Sequence, residues 1–87
     1  LTVYPNPASG TVYILSSIKR NTSVECNVYD VAGDLVNTLY KGIWTQDGFK
    51  FVWNGKDNNG EKLKSGVYFI RLNTSTSKGC VKIVIAD

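Results

Sequence analysis

Few side chains in this sequence can do chemistry. There is no histidine and no methionine, and there are two cysteines, Cys26 and Cys80. The absence of histidine rules out Ser-His-Asp triads, the usual zinc ligand sets and histidine-ligated haem. The carboxylates are Glu25, Asp30, Asp34, Asp47, Asp57, Glu61 and Asp87. A pair of carboxylates can be enough for glycoside hydrolysis, but those in turn-rich stretches are explained by turn formation. No nucleophile stands beside a plausible base, so we read no catalytic residue, no cofactor site and no metal site. The stretch Asp57-Asn58-Asn59-Gly60-Glu61 has the oxygen-rich look of a calcium loop. However, no Glu follows at the distance such a loop requires, and Lys56, Lys62 and Lys64 crowd it with positive charge. A tight turn using Asn and Gly at positive φ is the stronger reading.

The cysteines admit two readings. An even count in a small β-rich chain points to a disulfide, which here would close a loop longer than half the chain. Strand parity opposes it. Cys26 alternates in phase with apolar residues, whereas Cys80 shares a face with Lys82, and side chains on opposite faces cannot reach bonding geometry unless a bulge intervenes. Trp44 and Tyr40 lie in an aromatic-rich stretch and are candidates for stacking on a sugar ring; loop packing is the plainer role for Trp44. Asn21-Thr22-Ser23 and Asn73-Thr74-Ser75 have the form of glycosylation sequons, which matter only in a eukaryotic secretory route. The lysines at 50, 56, 62, 64 and 82 are scattered, and a formal charge of +3 is too mild to argue for nucleic acid.

The elements that would position these residues are short. Runs of β-favouring residues alternate with clusters of Gly, Asn, Asp and Pro. The predicted strands are Thr2–Tyr4, Thr11–Ser16, Ser23–Asp30, Leu35–Tyr40, Phe49–Trp53, Val67–Asn73 and Cys80–Ala86, with Gly42–Gly48 and Thr74–Gly79 as loops. No segment carries a convincing helical period. Alternation places Phe49, Phe51 and Trp53 on one face, as it does Tyr68, Ile70 and Leu72, Val81, Ile83 and Ile85, and Val24, Cys26 and Val28. One wet face per sheet is the antiparallel pattern. We therefore expect an all-β fold, a seven-stranded antiparallel immunoglobulin/fibronectin-like β-sandwich, as a single domain over residues 1–87.

At 87 residues, 43% hydrophobic and 20% charged, the chain is long enough for one thin core. No apolar run reaches the roughly 18 residues of a transmembrane helix, and no signal-peptide pattern opens the chain. It begins directly in a strand, without an initiator Met, and stops at the end of another, so we expect a module of something longer.

The order of short motifs also resembles a known family. Val3-Tyr4-Pro5-Asn6-Pro7-Ala8, followed by Gly10 and Val12-Tyr13-Ile14, is similar to the start of the C-terminal sorting domains of the type IX secretion system. The stretch Val28-Tyr29-Asp30-Val31-Ala32-Gly33-Asp34-Leu35-Val36 is similar to their central hairpin. Trp53-Asn54-Gly55-Lys56-Asp57-Asn58-Asn59-Gly60, leading to Ser65-Gly66-Val67-Tyr68-Phe69-Ile70-Arg71-Leu72, resembles the Ig-like domain of the flagellar hook-cap protein. Val81-Lys82-Ile83-Val84-Ile85 resembles the closing segment of both. The resemblance spans essentially the whole chain in the right order.

The resemblance implies a non-catalytic Ig-like domain at the C-terminus of a larger secreted bacterial protein, often a hydrolase, peptidase or adhesin. Its partners would be the outer-membrane translocon and the catalytic or adhesive domain of the parent chain. It would be located at the surface or in the medium of a Gram-negative-type bacterium, reached through the periplasm. The candidate recognition segment is the face and edge of the last strand, Lys82, Ile83, Val84 and Ile85, offered as a presented strand. Pro5, Asn6, Pro7, Gly33, Trp53, Gly66 and Tyr68 belong to the shared motifs and read as fold-makers: the prolines stop an edge strand, the glycines permit turns, and the two aromatics fill the core. The alternatives are an accessory module of a polysaccharide-degrading enzyme, with Trp44 and Tyr40 as the sugar platform, and an inert spacer.

Overall fold

The computed structural model describes residues 1–86; Asp87 lies outside the described residues. Seven strands follow one another: β1 (Thr2–Tyr4), β2 (Val12–Ser16), β3 (Thr22–Asp30), β4 (Leu35–Trp44), β5 (Phe49–Trp53), β6 (Gly66–Thr74) and β7 (Lys78–Ile85). They pair antiparallel in two sheets, ordered β1-β2-β5 and β4-β3-β6-β7. Neither sheet can bury an apolar face alone, so the two close on a shared core. Val12, Ile14, Phe49 and Trp53 come from the first sheet; Val24, Cys26, Val28, Tyr68, Ile70, Leu72, Ile83 and Ile85 come from the second. Ala8 and Leu63 fill the core from connections. Each fully buried side chain of this size contributes about 1.5–3 kcal/mol relative to exposure.

The expected alternation holds on β3, β5, β6 and β7, with Phe51 and Val81 only partly buried. Two boundaries differ from expectation by more than one residue. β4 continues to Trp44 instead of ending at Tyr40, because Gly42 stays in the ladder opposite Val24, and register shifts in the β3–β4 pairing accommodate the extra length. The β6–β7 hairpin is tighter than expected, with pairing out to Asn73 and Lys78. Its turn is held by Thr74, whose amide donates to the Ser77 carbonyl at 2.8 Å and whose hydroxyl oxygen accepts from the Ser77 amide at 3.0 Å.

Asn27 is 4% exposed although it faces away from the core. Neighbouring side chains on the sheet cover it. Its amide donates to Glu25 Oε2 at 2.8 Å and to the Tyr29 hydroxyl at 3.3 Å, and the Arg71 guanidinium sits 4.9 Å from the centre of the Tyr29 ring.

One glycine is fixed by space as well as by angle. Gly55 has φ of 76°, and a Cβ built on it would lie 2.7 Å from the Gly10 carbonyl oxygen, a backbone atom with little freedom to retreat. Gly60 has a similar φ of 79° with nothing near its would-be Cβ. Gly55→Ala should therefore cost about 2–4 kcal/mol in urea unfolding, against about 1 kcal/mol for Gly60→Ala. Equal costs at the two positions would contradict the close approach of the 10 and 55 loops.

Candidate functional site

The last strand is where the expected recognition segment lies, and its four residues separate by parity. Ile83 and Ile85 are core side chains, at 0% and 5% exposure, so they present nothing to a partner. Lys82 is exposed and Val84 half-buried on the outer face. Main-chain access is also limited, because the edge of β7 is already occupied. Asn6 Nδ2 donates to the Lys82 carbonyl at 3.0 Å, and its Oδ1 accepts from the Val84 amide at 2.9 Å. Ala8 continues the ladder: its amide donates to the Val84 carbonyl and its carbonyl accepts from the Ala86 amide, both at 2.8 Å. A side-chain amide followed by a short parallel bridge thus does the work of an eighth strand. The expectation of a presented edge over Lys82–Ile85 is corrected accordingly: the chain itself covers that edge. What remains outward is the face carrying Lys82 and Val84, and Lys82 follows a free Cys80 on the same side.

The Pro5-Asn6-Pro7 motif therefore has a specific role. The prolines end β1, and Asn6 between them supplies the two hydrogen bonds to β7. The other motif residues are structural in identifiable ways. Trp53 is buried, with Nε1 donating to the Lys56 carbonyl at 2.9 Å. Tyr68 is buried, with its hydroxyl donating to the Lys64 carbonyl at 2.8 Å. Burial, and then the Asp30 charge, push its phenol above the ordinary range, keeping it a donor. Gly66 is not in a turn, as expected, but opens β6 opposite Ile85.

Gly33 belongs to a loop built around Asp30. The Asp30 amide donates to the Asp34 carbonyl at 3.0 Å, the Gly33 amide to the Asp30 carbonyl at 3.0 Å, and Asp30 Oδ1 accepts from the Ala32 and Asp34 amides at 3.0 and 2.9 Å. The calcium-like stretch has the same construction. The Asp57 amide donates to the Glu61 carbonyl at 2.9 Å and the Gly60 amide to the Asp57 carbonyl at 3.0 Å, while Asp57 Oδ1 accepts from the Asn59 and Glu61 amides, both at 2.9 Å. In both loops an aspartate oxygen is engaged by main-chain amides. The expected tight turn is there with Gly60 at positive φ, but Asn58 and Asn59 are not at positive φ; Asp57 supplies the organising acceptor instead. No cluster of three or more metal-ligating side chains occurs among the described residues. The spacing Asp-x-x-Gly followed by an acidic residue, present at both 30–34 and 57–61, was the signal in the sequence for this pair.

Asn58 extends the second loop into an edge cap. Its amide donates to the Val36 carbonyl at 3.1 Å and its Oδ1 accepts from the Thr38 amide at 3.2 Å. Asn37 Nδ2 returns a bond to the Lys56 carbonyl at 2.7 Å. β4 is thereby held much as β7 is held by Asn6.

The proposed sugar platform is placed differently from expectation. Trp44 is in a strand, not a loop, and both it and Tyr40 are half-buried. Their rings meet edge-on with centroids 5.1 Å apart, and Trp44 lies 4.7 Å from Phe49. Trp44 Nε1 donates to the Gly48 carbonyl at 2.8 Å and the Tyr40 hydroxyl to the Ile43 carbonyl at 2.7 Å. Both polar handles are taken by the domain's own backbone.

The cysteines are free, Cys26 buried and Cys80 exposed, as parity required. Burial pushes the Cys26 thiol up to about 12, so it behaves as a small hydrophobe.

The family model described as "Secretion system C-terminal sorting domain" matches residues 2–86. The chain belongs to this family. It is a family of sorting signals, not of catalysts. Two solved structures from Porphyromonas gingivalis resemble the sorting domain. One is PorZ, described as an essential bacterial surface component of the type-IX secretion system; it is 22% identical, with a TM-score of 0.67 over 99% of this chain and 11% of that one. The other is dimeric latent PorU, 18% identical, with a TM-score of 0.76 over 98% of this chain and 9% of that one. At these identities the likeness is one of fold. The sorting domain spans about a tenth of the length of either structure. A comparison with curated protein sequences gives no match. The hook-cap half of the resemblance has no support among these matches.

The clamp on β7 can be tested within the domain. Asn6→Ala removes an acceptor and a donor at once, and at about 0.5–1.5 kcal/mol per hydrogen bond it should cost about 1–3 kcal/mol in urea unfolding. A variant as stable as the parent would contradict the clamp.

Proposed function

We propose that the sorting domain is the type IX export address of a larger secreted bacterial protein, carrying its parent to the cell surface or the medium and doing no chemistry itself. The observation that carries this reading is the family match over residues 2–86. The fold likeness to PorZ, described as a component of the type-IX secretion system, supports it. We further propose that residues 1–87 form a single immunoglobulin-like unit. In such sandwiches the first, second and fifth strands share one sheet, and the third, sixth and seventh the other; the orders β1-β2-β5 and β3-β6-β7 follow that plan, with β4 joined to β3. The Tyr68 hydroxyl, bonded four residues back, corresponds to the tyrosine corner of that architecture.

The partner in this reading is the outer-membrane translocon. Since Ile83 and Ile85 are buried and the β7 edge is clamped, the side chains we propose for recognition are Lys82 and Val84 on the outer face of β7. The accessory polysaccharide-binding alternative gains no specific support, because Trp44 and Tyr40 are engaged in packing and in main-chain hydrogen bonds.

An export assay tests both parts. A fluorescent reporter carrying a signal peptide and this domain at its C-terminus, in a host with a working type IX system, should reach the surface or medium and stay in the periplasm when the translocon is disabled. Lys82→Glu combined with Val84→Lys should reduce export several-fold while leaving the domain folded. Retention of the unaltered fusion would overturn the export reading. Full export of the double variant would overturn the assignment to Lys82 and Val84.

A further inference from the structure

The two sheets end in four edge strands, and an edge with unpaired main-chain groups is a template for another strand. Three of the four are protected. β1 is only three residues long and runs into Pro5 and Pro7. β7 is covered by Asn6 and Ala8 over Lys82–Ala86. β4 is capped by Asn58 at Val36 and Thr38, and the Tyr40 hydroxyl takes the Ile43 carbonyl.

β5 has none of these devices. It stands at the end of its sheet, because β4, next in the chain before it, pairs with β3. Its sequence, Phe49-Lys50-Phe51-Val52-Trp53, contains no proline, and its pairing with β2 has no bulge. Among the described residues, no turn, loop or side-chain hydrogen bond reaches its main chain. Val52 is 61% exposed. Alongside lies a groove of about 230 Å3 between β5 and β4, lined by Thr38, Leu39, Phe51, Val52 and others.

We propose that the free edge of β5 is a strand-addition site for an extended segment of a partner polypeptide, with alternate apolar side chains over Leu39 and Phe51 and a carboxylate facing Lys50. The main chain of β5 asks for an extended peptide, since only a backbone repeats donors and acceptors at strand spacing. The groove asks for apolar side chains. Charge sets the rest: Lys50 is the one charged residue of β5, and no carboxylate lines the groove. A second copy of this chain, itself at +3, brings the wrong sign. This inference does not rest on recognition by the translocon and stands or falls separately from it.

The test uses the isotopically labelled domain and, as probe, a capped octapeptide of alternating valine and threonine in which two threonines are replaced by glutamate. We expect amide chemical-shift changes centred on Phe49–Trp53, with exchange of the outward amides of β5 slowed at least about tenfold. Lys50→Glu should weaken binding several-fold, Val52→Glu, which sets a like charge against the acidic probe on the same face, should also weaken it, and a fully N-methylated probe should not bind. Both substitutions fall on exposed positions, so the fold is retained and is checked by the unchanged spectrum of β6 and β7. Absence of binding at millimolar probe would overturn the proposal, as would binding at another edge. Self-association of the domain through β5, detected by sedimentation and lost in Val52→Lys, would overturn the choice of occupant in favour of a second copy.

Discussion

A two-sheet sandwich of this size has four edge strands, and capping the two edges of its larger sheet organises most of the sorting domain. The bonds from Asn6 to Lys82 and Val84 join the start of the chain to its end. They place Ala8 in the core and bring it into register with Ile85. At the other sheet edge, Asn58 does for β4 what Asn6 does for β7, using a loop where the first uses a proline-bounded link. In each case one asparagine supplies a donor and an acceptor, Asn6 from its side-chain amide alone and Asn58 from its main-chain amide and its Oδ1, without committing a whole strand. A chain with few residues to spare gains a closed edge at the cost of one side chain.

The loops feeding these edges share a single device. Asp30 and Asp57 each gather two amides onto one carboxylate oxygen, with glycine three residues on at positive φ. The first makes the β3–β4 turn, and the second positions Asn58. The Asp30 and Asp57 carboxylates are therefore already in use as turn acceptors. At the opposite end, Arg20 and Asp47 join the β2–β3 and β4–β5 connections through an exposed ion pair at 2.9 Å. Arg20 holds the Asp47 carboxyl below its ordinary range, so its small contribution is present above the unfolded-state value and fades as pH falls through the folded one.

Much of this was legible in the sequence, and what was not has a common cause. The faces of β5, β6 and β7 could be read because a half-wet sheet imposes a period of two, and the same parity separated Cys26 from Cys80. The end of β4 could not. Gly42 and Gly48 look like loop punctuation, and only pairing with β3 keeps the strand running to Trp44. The burial of Ile83 and Ile85 was implied by alternation, yet the resemblance had grouped them with Lys82 and Val84 as one recognition segment. The closed edge of β7 was beyond local reading, because Asn6 acts on residues 76 and 78 positions away. The paired aspartate loops were legible in principle from their shared spacing.

The central claim is that two edges are capped by the chain, a third is short and ends at proline, and that of β5 is left open, and native-state hydrogen exchange on the free domain measures the capped and open edges directly. The amides of Thr38, Val84 and Ala86, each held by an edge cap, should exchange only through openings approaching the global unfolding free energy. The outward amides of β5 should exchange orders of magnitude faster in the same sample. Equal protection of β5 and β7, or rapid exchange at Val84, would contradict the account.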